Sequence, residues 1–191
     1  MTAVVGPDGV RRCGWAYSAP EYIEYHDLEW GRTVRGDDAV YERIVLEAFQ
    51  SGLSWITILR KREGFRRAFA GFSIEAVAEF TEADVEGLMS DVGIVRNRAK
   101  VTAAIANARA ATELAEGLSE LVWSFAPTRR RAAPASVADV PAVTTESTAL
   151  AKELKRRGFK FVGPTTAYAH MQATGMVNDH LASCHARKLS P

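Results

Sequence analysis

Residues 88–112 read LMSDVGIVRNRAKVTAAIANARAAT. The stretch reads as the end of one helix, a tight turn at Gly93, and a long alanine-rich helix. In the second helix Val101, Ala104, Ile105 and Ala108 recur at spacings of three and four, the period of one helical face. The same spacing returns at Val40, Ile44, Val45, Ala48 and Phe49, while strand-like alternation is nearly absent. The expected class is therefore all-α. Helices are expected over 21–30, 38–50, 54–70, 74–79, 82–90, 97–115, 119–125, 147–157, 166–174 and 179–184. Asp37 stands before the second of these, Thr81-Glu82-Ala83-Asp84 offers a capping box, and Gly158 follows the basic turn Lys155-Arg156-Arg157.

A chain of 191 residues, 47% apolar, can bury a real core, and its length suits one domain or two small lobes. Its apolar runs fall far short of the roughly 20 residues a membrane span needs, and Met1 to Arg12 lacks the layout of a signal peptide. A cytoplasmic protein is expected. The formal charge of +1 is unevenly spread. Ile94 to Thr112 holds Arg96, Arg98, Lys100 and Arg109 with no acid, and Lys152 to Lys160 holds five basic residues against Glu153 alone. Clustered positive charge suits a face that meets a polyanion, although a solvated helix face has the same look. Ala126 to Val143, with Pro127, Pro134, Pro141 and the run Arg129-Arg130-Arg131, reads as a surface crossing between lobes.

The two cysteines lie near opposite ends, and each has a histidine at metal-ligand spacing: Cys13-x12-His26 and His180-x3-Cys184. On a helix, residues four apart share a face, so His180 and Cys184 could bind one ion. Two thiolates and two imidazoles would close a tetrahedron and leave no position for water, which makes such a site structural. Two unrelated buried cysteines or a disulfide are the bland alternatives, the disulfide disfavoured by cytosolic reduction, and His185 is a competing ligand.

The turn at Gly93 and Ile94, followed by Arg96 and Lys100, has a helix-hairpin-helix pattern. Its amides and the next helix's N-terminus can face a DNA phosphate without sequence preference, though plain helical packing gives similar spacing. Glu47 flanks the apolar face of its helix and is a candidate for burial. Around it in sequence lie Gly52-Leu53-Ser54-Trp55 and the aromatics Trp15, Tyr17, Tyr22, Tyr25 and Trp30, which could be core or a stacking pocket.

These stretches closely resemble the 3-methyladenine DNA glycosylase I family, of the helix-hairpin-helix glycosylases, from Arg12 to Cys184. The resemblance rests on Arg12-Cys13-Gly14-Trp15, Tyr25 to Gly31, Gly52 to Trp55, Gly158 to Gly163 and Val177-Asn178-Asp179-His180. It implies an all-α, helix-hairpin-helix glycosylase domain over 1–191. One lobe would cover about 38–125 and the other about 12–37 plus 126–191, with a structural zinc joining the chain's ends. The implied zinc ligands are Cys13, His26, His180 and Cys184, one ion per chain. The implied base pocket is Glu47, also the catalytic candidate, with Tyr22, Tyr25, Trp55 and Trp15. Gly52, Leu53, Gly93, Ile94, Arg96 and Lys100 are the expected DNA contacts.

The implied activity is monofunctional hydrolysis of N3-methyladenine from alkylated double-stranded DNA in base excision repair, by a monomer. No lysine is well placed for a Schiff base, and no aspartate follows a turn beyond the hairpin. The competing reading is a zinc-bearing DNA-binding module without catalysis. Met1 to Val10 is an extension the family usually lacks, and Pro164 makes the surroundings of Thr165 and Thr166 depart from its pattern.

Overall fold

A computed structural model describes residues 1–190. Two short strands, β1 (Ala3–Val5) and β2 (Arg11–Cys13), pair antiparallel with Ala3 opposite Cys13. Nine α-helices follow: α1 (Pro20–Leu28), α2 (Asp37–Gln50), α3 (Trp55–Ala68), α4 (Ile74–Ala78), α5 (Glu82–Ser90), α6 (Arg98–Thr112), α7 (Leu118–Trp123), α8 (Thr145–Arg156) and α9 (Pro164–Ala173). No described helix is long and apolar enough to cross a membrane.

Helix α2 is the hub. Val40, Tyr41, Leu46 and Phe49 are almost fully buried, and α2 packs against α3, α6, α7 and α9. Phe49, Phe65, Phe69 and Phe72 form a chain of ring contacts beneath it, and the Tyr41 hydroxyl donates to the Ala104 carbonyl at 2.9 Å. Such pairing of a buried hydroxyl removes the desolvation penalty that would otherwise oppose its burial.

Helix starts follow local chemistry. Asp84 accepts from the Thr81 amide at 2.7 Å, completing the expected capping box, and Asn97 caps α6 by accepting from the Lys100 amide at 3.1 Å. Asp37 does not cap α2. Gly36 occupies that position with φ 91°, and Asp37 lies inside the first turn, where it accepts from the Ser119 amide at 2.8 Å and ties α2 to α7.

Two further expectations fail. The segment up to Cys13, which gave no strand signal, forms the β1–β2 hairpin, β1 in the extension and β2 just beyond it. The helix expected at 179–184 is absent, because its hydrogen-bonding groups are engaged elsewhere. The His180 carbonyl accepts from the Arg187 guanidinium at 2.6 Å, the Leu181 amide donates to Cys13 Sγ at 3.3 Å, and the Ala182 amide donates to the Pro134 carbonyl at 2.8 Å. A helix there would need the His180 carbonyl for the Cys184 amide, which instead donates to Leu181 in a tight turn.

Candidate active site

Between α1, α2, the start of α3 and α9 lies a cleft of about 370 Å³ lined by Trp15, Tyr22, Tyr25, Trp30, Glu47 and Trp55, together with Gln50, Ala169 and Gln172. Tyr22 and Tyr25 share a face of α1 at i,i+3 spacing. Trp15 meets Tyr22 edge-on at 5.6 Å and Trp30 at 5.1 Å, and Tyr25 lies 5.4 Å from Trp55. A second hollow of about 250 Å³ shares Glu47, Gln50 and Ala169 and runs out over Gly52, Leu53, Thr165 and Thr166. Gly52 has φ 80°, a left-handed turn that suits glycine, and Leu53 stands 41% exposed at this mouth.

Glu47 is only 6% exposed, and among the described residues nothing donates a hydrogen bond to its carboxylate. Burial pushes its carboxyl up to about 8, against a smaller pull downward from Arg43 one turn earlier on α2. Unpaired polar atoms collect around it. Among the described residues, the buried side-chain atoms without a partner are Arg43 Nη1, Trp55 Nε1 and both ring nitrogens of His170. Trp55 shares the cleft with Glu47, and His170 shares a small apolar cavity with it. Burial holds His170 down at about 3, so its imidazole is neutral. Orphaned polar groups are rare in protein interiors, so these atoms call for partners from outside the chain, water or a bound ligand.

Behind the Trp15 ring, Cys13, His26, His180 and Cys184 converge, all buried, with their donor atoms within 4.8 Å of one another. Cys184 Sγ lies 3.4 Å from His26 Nε2 and 3.7 Å from His180 Nδ1, and Cys13 Sγ lies 3.8 Å from His180 Nδ1. The opposite ring nitrogens are anchored, His26 Nδ1 on Asp27 at 2.8 Å and His180 Nε2 on the Trp30 carbonyl at 3.1 Å. That leaves His26 Nε2 and His180 Nδ1 as the free lone pairs, aimed inward. Interaction of the two sulfurs with each other pushes the Cys13 thiol up and the Cys184 thiol down. The group could hold a metal ion. His185, the competing ligand, instead reaches Asp27 Oδ1 at 2.9 Å. Although burial opposes ionisation, Arg12, His26 and His185 together hold the Asp27 carboxyl below its usual range.

A family model described as methyladenine glycosylase matches residues 15–188. The chain belongs to that family. It is 46% identical over 179 residues to the DNA-3-methyladenine glycosylase 1 of Escherichia coli, covering 92% of this chain and 96% of that protein. It is 42% identical to the DNA-3-methyladenine glycosylase of Haemophilus influenzae, covering 91% and 96%. A solved 3-methyladenine DNA glycosylase I superposes with a TM-score of 0.87 at 44% identity, covering 94% of this chain and all of the other. A structure from Staphylococcus aureus, described as the basis of that enzyme's 3-methyladenine recognition, gives 0.87 at 32% identity, covering 92% and 96%.

The basic residues of this methyladenine glycosylase are arranged differently from the sequence expectation. α5 and α6 form a hairpin through 91–97, but the Gly93 amide donates to Asp91 at 2.6 Å, and Ile94 is 2% exposed. Gly93 packs on α3 so closely that a Cβ on Gly64 would sit 2.4 Å from its carbonyl oxygen. Arg98 is paired with Glu82 and Glu86, and Arg156 and Arg157 with Glu153 and Glu116. Lys100, expected to face phosphate, is buried, because its ammonium donates to the Phe49 and Ser51 carbonyls at 2.9 and 2.5 Å. Arg96 stays exposed and makes no hydrogen bond or ion pair among the described residues.

The sequence reading passed over Gln50, Arg43, His170 and Gln172. Gln172 and Ala169 share a face of α9 at i,i+3, a signal of the same kind as Tyr22 and Tyr25, but α9 is apolar on most sides and shows little contrast.

Proposed function

We propose that this chain is a monofunctional DNA glycosylase that extrudes an N3-methylated adenine from double-stranded DNA and hydrolyses its glycosidic bond. The observation that carries this reading is a buried carboxylate without hydrogen bonds, Glu47, in the wall of an aromatic cleft.

The chemistry matches such a wall. N3-methylation makes the nucleotide's purine cationic and already a good leaving group. Flipping costs a few kcal/mol and is easiest at damaged sites. A cationic ring laid against Tyr25 and Trp55 gains about 0.5–2 kcal/mol per good contact, a gain neutral adenine lacks. Burial favours the protonated form of Glu47, its carboxyl pushed up to about 8; an arriving cation supplies the counter-charge that favours its ionised form. Water then bonds to C1′, the glycosidic electron pair passes to the ring and cancels its charge, and the water's proton leaves to solvent. Neutral 3-methyladenine is the product.

Around this centre, Leu53 fills the gap left by the flipped nucleotide, with Gly52 giving it room to turn. Arg96, exposed beside the α5–α6 hairpin, contacts phosphate, while the Gly93 amide is held by Asp91. The cleft then falls between a lobe of about 38–125 and one of about 12–37 plus 126–191. We assign the Cys13, His26, His180 and Cys184 group to one structural zinc. A tetrahedral ion with Zn–S of about 2.3 Å and Zn–N of about 2.05 Å implies S···N edges of about 3.6 Å, against 3.4, 3.7 and 3.8 Å here. Zinc bound there would supply folding free energy and no chemistry, since four protein donors leave no open position. Two such thiols stay reduced in a cytoplasm, where we expect a monomer.

The test is release of 3-methyladenine from methylated duplex DNA, with borohydride present in a parallel reaction. Release without strand cleavage and without a trapped covalent adduct is expected, because no lysine lines either hollow. Binding without release would leave a non-catalytic zinc-bearing module, and a borohydride adduct would replace the hydrolytic mechanism.

A further inference from the structure

We infer that Gln172, oriented by Asp179, is a specificity-determining residue whose amide carbonyl reads the exocyclic amino group of the flipped purine. The inference rests on the glycosylase reading above and adds what charge alone cannot supply. Cation–π attraction favours any positively charged purine, and methylated guanines are cationic too, so a pocket of aromatics and one carboxylate selects charge without telling adenine from guanine.

Gln172 lies in α9 and lines the cleft opposite Glu47 and Gln50 of α2. Its Nε2 donates to Asp179 Oδ2 at 3.0 Å. A carboxylate offers only acceptors, so the amide nitrogen must face Asp179 and the choice between oxygen and nitrogen is settled. Asp179 is itself fixed. It is 6% exposed, the Tyr168 hydroxyl donates to the same Oδ2, and Arg131 stands 4.0 Å from Oδ1. It also directly precedes His180, whose ring is held at the Cys/His group. The side-chain carbonyl of Gln172 is therefore turned away from Asp179, and we take it to be the part of the side chain that Gln172 presents to the cleft it lines.

Adenine carries an amino donor at C6, and guanine an oxo acceptor at the same place. A fixed carbonyl is satisfied by the first and opposed by the second. Sites built to hydrogen-bond one group reject the analogue lacking it far better than apolar pockets reject an extra methylene. Val177-Asn178-Asp179-His180 then serves two purposes, a metal donor at His180 and a positioning residue at Asp179.

The experiment uses Gln172→Met, close in shape and without the carbonyl. Two readouts are taken: release of 3-methyladenine and of 3-methylguanine from one methylated DNA, and inhibition of release by free 3-methyladenine and by its 6-oxo counterpart, 3-methylhypoxanthine. The preference for the amino base should fall about tenfold in Gln172→Met, through weaker binding of 3-methyladenine, with metal content unchanged and a fall in melting temperature no larger than the lost bond to Asp179 accounts for. Tyr168→Phe, which removes one of the bonds fixing Asp179, should give a smaller fall in the same direction. An unchanged preference, or an equal loss for amino and oxo bases, overturns the assignment. A folded parent protein that released no methylated base would instead overturn the glycosylase reading itself, and the two failures are thus told apart.

Discussion

Lys100 reaches across from α6 to the last turn of α2, where its ammonium donates to the Ser51 carbonyl at 2.5 Å. With the Phe49 carbonyl as its second acceptor, this side chain caps the helix that carries Glu47 and fixes the approach to Gly52 and Leu53. Desolvation lowers the Lys100 ammonium from its ordinary value, as expected for a cation held by carbonyls rather than water.

Lys100→Ala should therefore destabilise the protein by about 1.5–3 kcal/mol, the usual worth of a buried hydrogen bond to a charged group. For a chain of this size that is a fall in melting temperature of roughly 3–12 °C. Calorimetry without DNA decides it. A variant with unchanged melting and weakened DNA binding would restore Lys100 to the surface role that its place in a basic run suggests.

Glu47 gives stability a pH dependence of definite sign. Its folded value of about 8 lies above the 4.5 of a free carboxyl, so between those values the folded protein holds a proton that the unfolded chain has lost. Stability from this group is complete below about pH 4.5 and is lost as pH rises through 8. Glu47→Gln should match the parent in urea unfolding free energy near pH 4.5 and exceed it at pH 8.5, by on the order of 4–5 kcal/mol. The same variant should release 3-methyladenine far more slowly while binding undamaged duplex normally. A stability difference independent of pH would show that the carboxyl is solvated.

Arg96 and Arg98 make a matched comparison. Arg98 is engaged by Glu82 and Glu86, whereas Arg96 is exposed and unpaired among the described residues. Arg96→Ala should weaken lesion and non-lesion duplexes alike and reduce the salt slope by about 0.9, one phosphate contact. Arg98→Ala should change it less. Equal slopes for the parent and Arg96→Ala would remove this residue from the DNA interface.

Elemental analysis of the purified protein should find one zinc per chain. Cys13→Ser should lose it and unfold several kcal/mol more easily, since binding energy at a closed site is folding energy. His185→Ala should keep the metal, because His185 is spent on Asp27. Zinc retained by Cys13→Ser but lost from His185→Ala would transfer the site to the neighbouring His26, Asp27 and His185 group.

Most helices were legible because apolar spacing of three and four is repeated often enough to outweigh local exceptions, as at Val40 to Phe49 and Val101 to Ala108. The ends were less so: α6 stops at Thr112 rather than at residue 115, where the Leu114 amide turns back to Ala111. The four Cys and His donors could be named from spacing, yet the segment joining His180 to Cys184 could not be drawn, since Arg187 and Pro134 take the bonds a helix needs. Lys100 and Gln172 were illegible for a related reason. A lone polar side chain announces its type but not its direction, and only distant partners, Ser51 and Asp179, set that direction. Strands of three residues, such as Ala3–Val5, are too short for alternation to register.

The junction of Cys13 and His26 with His180 and Cys184 has a consequence for synthesis. Trp15, Tyr22 and Tyr25 stand on the segment between the first two donors, yet the second two are made only after α9. Chain leaves the ribosome from the N-terminus at about 5–20 residues per second, and α2 to α7 can pack as they emerge. The aromatic wall cannot be anchored until residue 184 has cleared the exit tunnel. A nascent or truncated chain would thus carry a formed hairpin and core without a working cleft, and competence would be acquired in a single late step.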